Sequence, residues 1–296
     1  MTVANLLSSP YSKIPCEIFH KLIFPTLSMG NFFPRWSNWL PLKLAIAVVF
    51  IAFGVSVGVA YYFTPKYTRV GYEPTQPVPF SHKIHAGQLA LDCRYCHSFV
   101  ETSSHSNVPT NQTCFNCHGP GKGNIRSNSP KLEMVVKANE TGKSIPWVKV
   151  HKAPDYVYFN HSAHLNRGIS CVSCHGKINE MEVVRHDQPQ SMGWCLDCHR
   201  NPEKNLRPLE FVTKLDYKPS DLKRDEFYKT LIDKKVPAAE IATTIGGEGA
   251  KADNLEQIVA LAEKTYGKNV TQTEVGTQIK KHWQIQPPES CTTCHR

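Results

Sequence analysis

The longest uninterrupted apolar run is residues 44–63, twenty residues without a charge. As a helix that run spans a hydrocarbon core of about 30 Å. Arg35 and Lys43 flank it on one side, Lys66 and Arg69 on the other. Trp36 and Trp39 sit near one end, Tyr61, Tyr62 and Phe63 at the other. Aromatic and basic residues in those positions suit the two membrane interfaces. A buried core helix would carry polar residues at the helical period. A cleaved leader would have a shorter apolar region closed by small residues. Residues 44–63 show neither pattern, and Tyr61-Tyr62-Phe63-Thr64-Pro65 offers no cleavage site. The run is read as an uncleaved, single-pass anchor. Gly54 and Gly58 add a small-residue step suited to packing on another membrane helix.

The pattern changes after residue 63. Residues 64–79 carry Pro65, Pro74, Pro77 and Pro79, which favour extended chain and make this a linker. Residues 80–200 hold no long periodic stretch, so loops and short helices are expected. Residues 201–286 turn amphipathic. Helices are predicted over 220–232, opened by Ser220, over 254–266 with Leu255, Ile258, Val259, Leu261 and Ala262 on one face, and over 273–283. Gly246-Gly247-Glu248-Gly249 reads as a loop; it lacks the strand and lysine of a phosphate cradle. The chain thus divides into an N-terminal segment 1–43, the anchor 44–63, the linker 64–79, a block 80–200, a helical insertion 201–286 and a tail 287–296. Met29 would serve as an alternative start, which would leave residues 1–28 outside the native protein.

Cysteine spacing brings in the chemistry. Cys93-x-x-Cys96-His97, Cys114-x-x-Cys117-His118, Cys171-x-x-Cys174-His175, Cys195-x-x-Cys198-His199 and Cys291-x-x-Cys294-His295 use ten of eleven cysteines. This is the attachment pattern for c-type haem. Each thiol forms a thioether to the porphyrin, and the histidine becomes the proximal iron ligand. A disulfide framework would not need histidine after every second cysteine, and paired zinc knuckles would not repeat it five times. No motif replaces that histidine by lysine, a variation that would suggest a catalytic haem. Cys16 is the odd thiol. Five covalently bound haem c groups are therefore expected. The fold class is a multihaem cytochrome c, mostly loops and short α-helices, with one N-terminal transmembrane helix.

Nine histidines remain: His20, His82, His85, His105, His151, His161, His164, His186 and His282. That surplus suits six-coordinate irons, which carry electrons rather than bind substrate. The strongest distal candidates are two repeated pairs. Phe80-x-His82-x-x-His85 precedes the first motif, and Phe159-x-His161-x-x-His164 precedes the third. Residues three apart share a helix face yet diverge, so one histidine of each pair is expected at its own module's haem and the other at a neighbouring one. His82 is assigned to the haem of Cys93 and Cys96, and His85 to another. His105, in a Ser/Thr-rich loop, is a further distal candidate, with His151 and Met192 behind it. The block 80–200 is read as two tandem two-haem modules.

The net charge is +9. A basic balance fits nucleic acid or anionic membrane. Here about ten haem propionates would offset it, and no nucleic-acid motif is present, so no nucleic-acid partner is expected. Haem attachment occurs outside the cytoplasm and every motif follows the anchor. The expected site is the bacterial inner (cytoplasmic) membrane, with the haem block on the periplasmic side.

Pro79-Phe-Ser-His-Lys-Ile-His-Ala-Gly87, Tyr158-Phe-Asn-His-Ser-Ala-His164 and Ser191-Met-Gly-Trp-Cys-Leu-Asp-Cys-His-Arg200 resemble the pentahaem cytochrome c component of bacterial alternative complex III. The anchor, the linker and the closing Cys-Thr-Thr-Cys-His-Arg296 fit as well; residues 201–286 add nothing. The resemblance implies an electron-transfer subunit of a quinol-oxidising respiratory complex, with no substrate site of its own. It implies partners: an iron–sulfur subunit, polytopic quinol-oxidising subunits and a monohaem cytochrome c, with a terminal oxidase or soluble cytochrome c as acceptor. One alternative is a stand-alone membrane-anchored multihaem quinol dehydrogenase feeding periplasmic reductases. Such proteins hold a haem close to the helix end, whereas some 29 residues separate Phe63 from Cys93 here. A multihaem enzyme with an open iron is a further alternative; a high-spin signal in the oxidised protein would support it.

A methionine-ligated haem carries a near-infrared band that a bis-histidine haem lacks. If Met192 is a ligand, Met192→Leu abolishes that band in the oxidised protein; an unchanged band count removes Met192 from the ligand set.

Overall fold

The computed structural model describes residues 34–63, 68–153 and 156–295. Residues 1–28, with Cys16 and His20, and the linker's opening at 64–67 lie outside them. The chain forms two units, Met1–Tyr62 and Phe63–Arg296, each taken by itself.

The described residues of the first unit form one helical stretch. A 3-10 turn, Arg35–Trp39, leads into helix α1, Leu40–Gly58, and a π-helical turn, Val59–Phe63, follows. Pro41 lies in the first turn of α1, where a missing N–H costs no intrahelical bond. The helix therefore starts four residues before the uncharged run and takes Lys43 inside it. Ser56 Oγ donates to the Ala52 carbonyl at 2.8 Å, which satisfies the hydroxyl without a partner helix. The 29-residue stretch Arg35–Phe63 is long and apolar enough to cross a membrane.

The second unit is helical, with no strand among the described residues; an isolated antiparallel bridge joins Ile169 and Leu206. Its main core is a four-helix cluster of α8, Arg224–Asp233, α9, Ala238–Gly246, α10, Leu255–Tyr266, and α11, Gln272–His282. Tyr228, Ile241, Ile258, Val275 and Ile279 are buried there together. Asn254 caps α10 by accepting from Gln257 N at 3.0 Å. Thr271 and Glu274 form a capping box on α11. The helix predicted from residue 220 starts at Arg224, because Pro219–Asp221 makes its own 3-10 turn and Leu222 is extended. Helix α9 escaped the sequence reading. Pro237 supplies no side-chain cap, and its threonines and isoleucines have low helix propensity; burial of Ile241 and Ile245 stabilises it instead.

Two charged side chains lie inside this cluster. Arg224 donates to both carboxylate oxygens of Glu274, at 2.8 and 2.9 Å, and to the carbonyls of Gly267, Lys268 and Asn269. Tyr228 Oη donates to Glu274 Oε1 at 3.0 Å. The cluster also grips the haem-motif block. Gln272 Nε2 donates to the carbonyls of Glu203 and Leu206, Lys280 pairs with Glu203 at 2.9 Å, and Gly276 lies so close to the Glu203 carbonyl that a Cβ would collide with it.

A smaller core joins Val78, Val135, Ala138 and Ile145, with Cys114 and Trp147 against it. It ties the linker to the second motif. Gln76 exchanges two hydrogen bonds with the Val148 backbone, both 2.9 Å, and Gly71 and Tyr72 exchange two with the His186 backbone. From residue 71 the linker is docked chain rather than a free tether.

Glu274→Ala leaves Arg224 buried without its counter-charge, at a cost of roughly 3–5 kcal/mol. Replacing both by apolar residues, Arg224→Met with Glu274→Leu, should cost less than the single change. Urea denaturation followed by circular dichroism checks the order.

Candidate haem centre

Each motif occupies a single helical turn: α2, Cys93–Cys96; α3, Asn111–His118; α6, Cys171–His175; α7, Met192–Arg200; and α12, Cys291–Cys294. Helical spacing of three puts both thiols of a motif on one face. Local caps hold two of these turns: Asp92 accepts from Arg94 N at 2.8 Å, and Ser191 Oγ from Trp194 N at 3.4 Å. Bonds from Arg94, first of all, hold the Asp92 carboxyl down at about 2, with Thr213 contributing.

The motif histidines are oriented through Nδ1. His97 donates to the Asn107 carbonyl at 2.8 Å, His118 to Ile125 at 2.7 Å, His199 to Pro288 at 2.7 Å and His295 to Tyr156 at 3.2 Å. A carbonyl only accepts, so Nδ1 carries the proton and Nε2 is left as a free ligand atom. Asn107 reaches its post in the left-handed region, φ 60°, which asparagine tolerates. Its side chain also bonds Cys96 O and Phe99 N.

The two histidine pairs are built alike. Phe80 lies edge-on to His82 at 4.8 Å and stacked on His85 at 4.4 Å; Phe159 lies edge-on to His161 at 4.8 Å and stacked on His164 at 4.6 Å. His85 Nδ1 bonds the Ser81 carbonyl and His164 Nδ1 the Asn160 carbonyl, each four residues back. The phenyl ring thus sets the angle between two imidazoles. In the first pair His82 is the N-cap of a π-helical turn, Lys83–Gln88, that carries His85; the second pair lies on α5, His161–Leu165. Gly87 lets the first turn approach the Asn179 carbonyl, which any Cβ would strike. The copies differ at one atom: His161 Nδ1 bonds the Ser104 carbonyl at 2.9 Å, while His82 Nδ1 is buried with no partner among the described residues.

These pairs face motif histidines. His85 and His118 have ring centroids 6.1 Å apart, His161 and His175 6.5 Å, and His164 and His199 6.1 Å. With metal–imidazole bonds of about 2 Å, two rings on opposite sides of one iron have centroids roughly 6 Å apart. His82 adjoins His97. Burial, followed by His97, pushes its pKa down to about 4. Burial, followed by His151, pushes His175 down to about 3. Burial also lowers His164. Neutral imidazole is the form that binds iron, so burial and ligation favour the same state.

The motifs neighbour one another in a fixed order. Cys96 neighbours Cys114 and Cys117. Cys93 neighbours Cys171, and Thr213 Oγ1 donates to Asp92 while the Val212 carbonyl accepts from Cys171 N. Cys174 neighbours Cys198 and Cys195, and Cys195 neighbours Cys294. Arg200 pairs with Glu289 at 3.1 Å. Second, first, third, fourth, fifth is the order through space.

The remaining candidates lie elsewhere. His105 is exposed, with its backbone N–H on Ser103 Oγ. Met192 is 67% exposed. His151 stands beside His175, with Nε2 3.2 Å from His175 Nδ1, the ring nitrogen that in the other four motif histidines bonds a backbone carbonyl. His282 is tied to Gln278 and Glu240 inside the helical cluster. The ring beside His295 is Tyr156, at 5.5 Å. The carbonyl partners carry no sequence signal, since any residue type supplies one. Phe80 and Phe159 do carry one, their fixed place two residues before each pair.

The donor set fits haem: paired thiols on one face, an oriented imidazole after them and a second imidazole facing it. Tyr95, Phe99, Tyr156, Tyr158 and Met192 are exposed around the motifs, an apolar surface of the kind a bound group covers. Residues 157–218 match the family of cytochrome c7 and related cytochrome c. This is a cytochrome c7-like multihaem domain. Over 141 residues the chain is 34% identical to the protein named menaquinone reductase, multiheme cytochrome c subunit, of Nitratidesulfovibrio vulgaris (strain Hildenborough), covering 47% of this chain and 59% of that one. The chain thus spans about three fifths of the length of the relative it matches. The domain class carries covalently attached haem c, and the ten described cysteines make multiple sites.

Ring planes are nearly parallel at His161 and His175, 7°, and steep at His85 and His118, 68°. Parallel imidazoles give a rhombic low-spin ferric signal, and steep ones a single feature at large g. Electron paramagnetic resonance of the oxidised protein should show both, and His161→Ala should remove the rhombic one.

Proposed function

We propose that this chain is the electron-transferring subunit of a membrane complex that oxidises quinol. Five haem c groups would be held by the five Cys-x-x-Cys-His motifs. The ligand pairs would be His97 with His82, His118 with His85, His175 with His161 and His199 with His164. His295 would hold the fifth, with His105 and Met192 the candidates opposite it. The bound iron would supply one-electron chemistry. The observation that carries the reading is the duplicated Phe-His-His clamp, whose imidazoles face motif histidines at about the separation one iron needs. The chain's own residues orient the proximal imidazoles, favour neutral His82 and His164 by burial and set the motifs beside one another from the second to the fifth. No step needs a substrate pocket in this chain.

The apolar helix supports anchoring in a bacterial inner membrane. All motifs follow it, which favours a periplasmic haem domain, because haem is attached outside the cytoplasm. Resemblance to the pentahaem component of alternative complex III supports quinol as donor, and a periplasmic cytochrome c or terminal oxidase as acceptor. The companions would be an iron–sulfur subunit, polytopic quinol-oxidising subunits and a monohaem cytochrome c. A second reading has electrons running toward quinone; the similarity to a menaquinone reductase subunit favours it.

Purification in mild detergent should bring polytopic subunits along, and a menaquinol analogue should reduce the haems of that assembly. Quinone reduction by the assembly from reduced haems, without the quinol reaction, would favour the second reading. Quinol oxidation by the solitary chain would overturn both in favour of a stand-alone dehydrogenase.

A further inference from the structure

Four of the five motif histidines donate Nδ1–H to a backbone carbonyl. The third does not. His175 Nδ1 lies 3.2 Å from Nε2 of His151, and the two rings meet edge-on, 86° between planes with centroids 4.3 Å apart. The His161 ring lies 6.5 Å from that of His175, 7° from parallel. If His175 binds iron through Nε2, as the proposed function has it, the proton on that ring sits at Nδ1. His151 Nε2 then has only its lone pair to offer.

An imidazole nitrogen is a stronger hydrogen-bond acceptor than an amide carbonyl. A stronger acceptor on Nδ1 draws the proton outward and leaves more electron density on the ligating nitrogen. Such an outer partner fixes the tautomer and raises ligand basicity, and basic axial ligation favours the oxidised iron. We infer that His151 is a positioning residue for the third haem and lowers its potential relative to the haems whose histidines bond carbonyls.

The site is built to hold that contact. His151 follows Val150, which is buried, and the His186 ring lies 5.3 Å from that of His151 and is 1% exposed. The His186 backbone is bonded in turn to Gly71 and Tyr72 of the linker. The third motif is also the middle one in the spatial order. The weakest oxidant of the set would then lie at the centre of the motif row rather than at either end.

Two variants test this. His151→Phe keeps a planar ring and removes the acceptor; His151→Gln offers an amide oxygen in its place. Haem content, by mass and by the pyridine haemochrome, is measured first: five haems in the wild-type chain test the underlying reading on their own. Potentiometric titration followed by electron paramagnetic resonance then reads the haems. The expected result is an upward shift of one midpoint, that of the rhombic His161/His175 signal, in His151→Phe, with a smaller shift in His151→Gln. Five haems with five unchanged midpoints overturn the inference. Loss of one low-spin signal in His151→Phe also overturns it, because His151 would then be an iron ligand. Should His151→Phe not accumulate, His151→Gln decides: an unmoved rhombic midpoint overturns the inference and a raised one supports it.

Discussion

The motif block depends on one geometric pairing: His118, His175 and His199 each face a second imidazole, with ring centroids 6.1–6.5 Å apart. A motif brings its own thiols and histidine on one helical turn. It does not bring the facing ring, because its helix ends at the histidine or one residue past it. The chain answers with a separate turn carrying two imidazoles set by one phenyl ring. Phe80 and Phe159 hold the two rings of their pairs in nearly the same relation, edge-on to one and stacked on the other. Each clamp joins two motifs, so four motifs become two rigid pairs without a conventional core. The Cys93–Cys171 contact and the Asp92–Thr213 bond then join pair to pair.

Stability is divided accordingly. The buried apolar side chains gather mainly in the four-helix cluster, and the motif block is organised by hydrogen bonds to backbone carbonyls and by ring contacts. The cluster transmits its order through few points: Gln272, Gly276 and Lys280 on α11 all meet residue 203 or its neighbours. Glu203 lies just past the fourth motif, so the best-packed region of the molecule abuts the motif that needs positioning by distant chain.

Much of this was legible in the sequence. Cys-x-x-Cys-His declares itself because thiol spacing and helix geometry coincide. The Phe-x-His-x-x-His repeat was visible because a duplicated pattern stands out against loops. The amphipathic helices of 254–266 and 273–283 showed their faces, and α10 and α11 lie within a residue of them. The start of α8 and the whole of α9 did not show, since a proline turn delays one and tertiary burial alone stabilises the other. Nor did the partners of Nδ1, which are carbonyls supplied by Asn107, Ile125, Tyr156 and Pro288. His151 illustrates the limit: spacing marks it as a histidine near haem motifs, and does not show that its Nε2 lies 3.2 Å from Nδ1 of His175.

The bond from His199 to the Pro288 carbonyl spans 89 residues, and the Arg200–Glu289 pair spans the same distance. Between their partners the ribosome must make all four helices of the cluster. As the chain is made, the fourth motif is complete before the acceptor that fixes its histidine's tautomer exists. The first and second motifs, whose acceptors lie 10 and 7 residues downstream, meet no such delay.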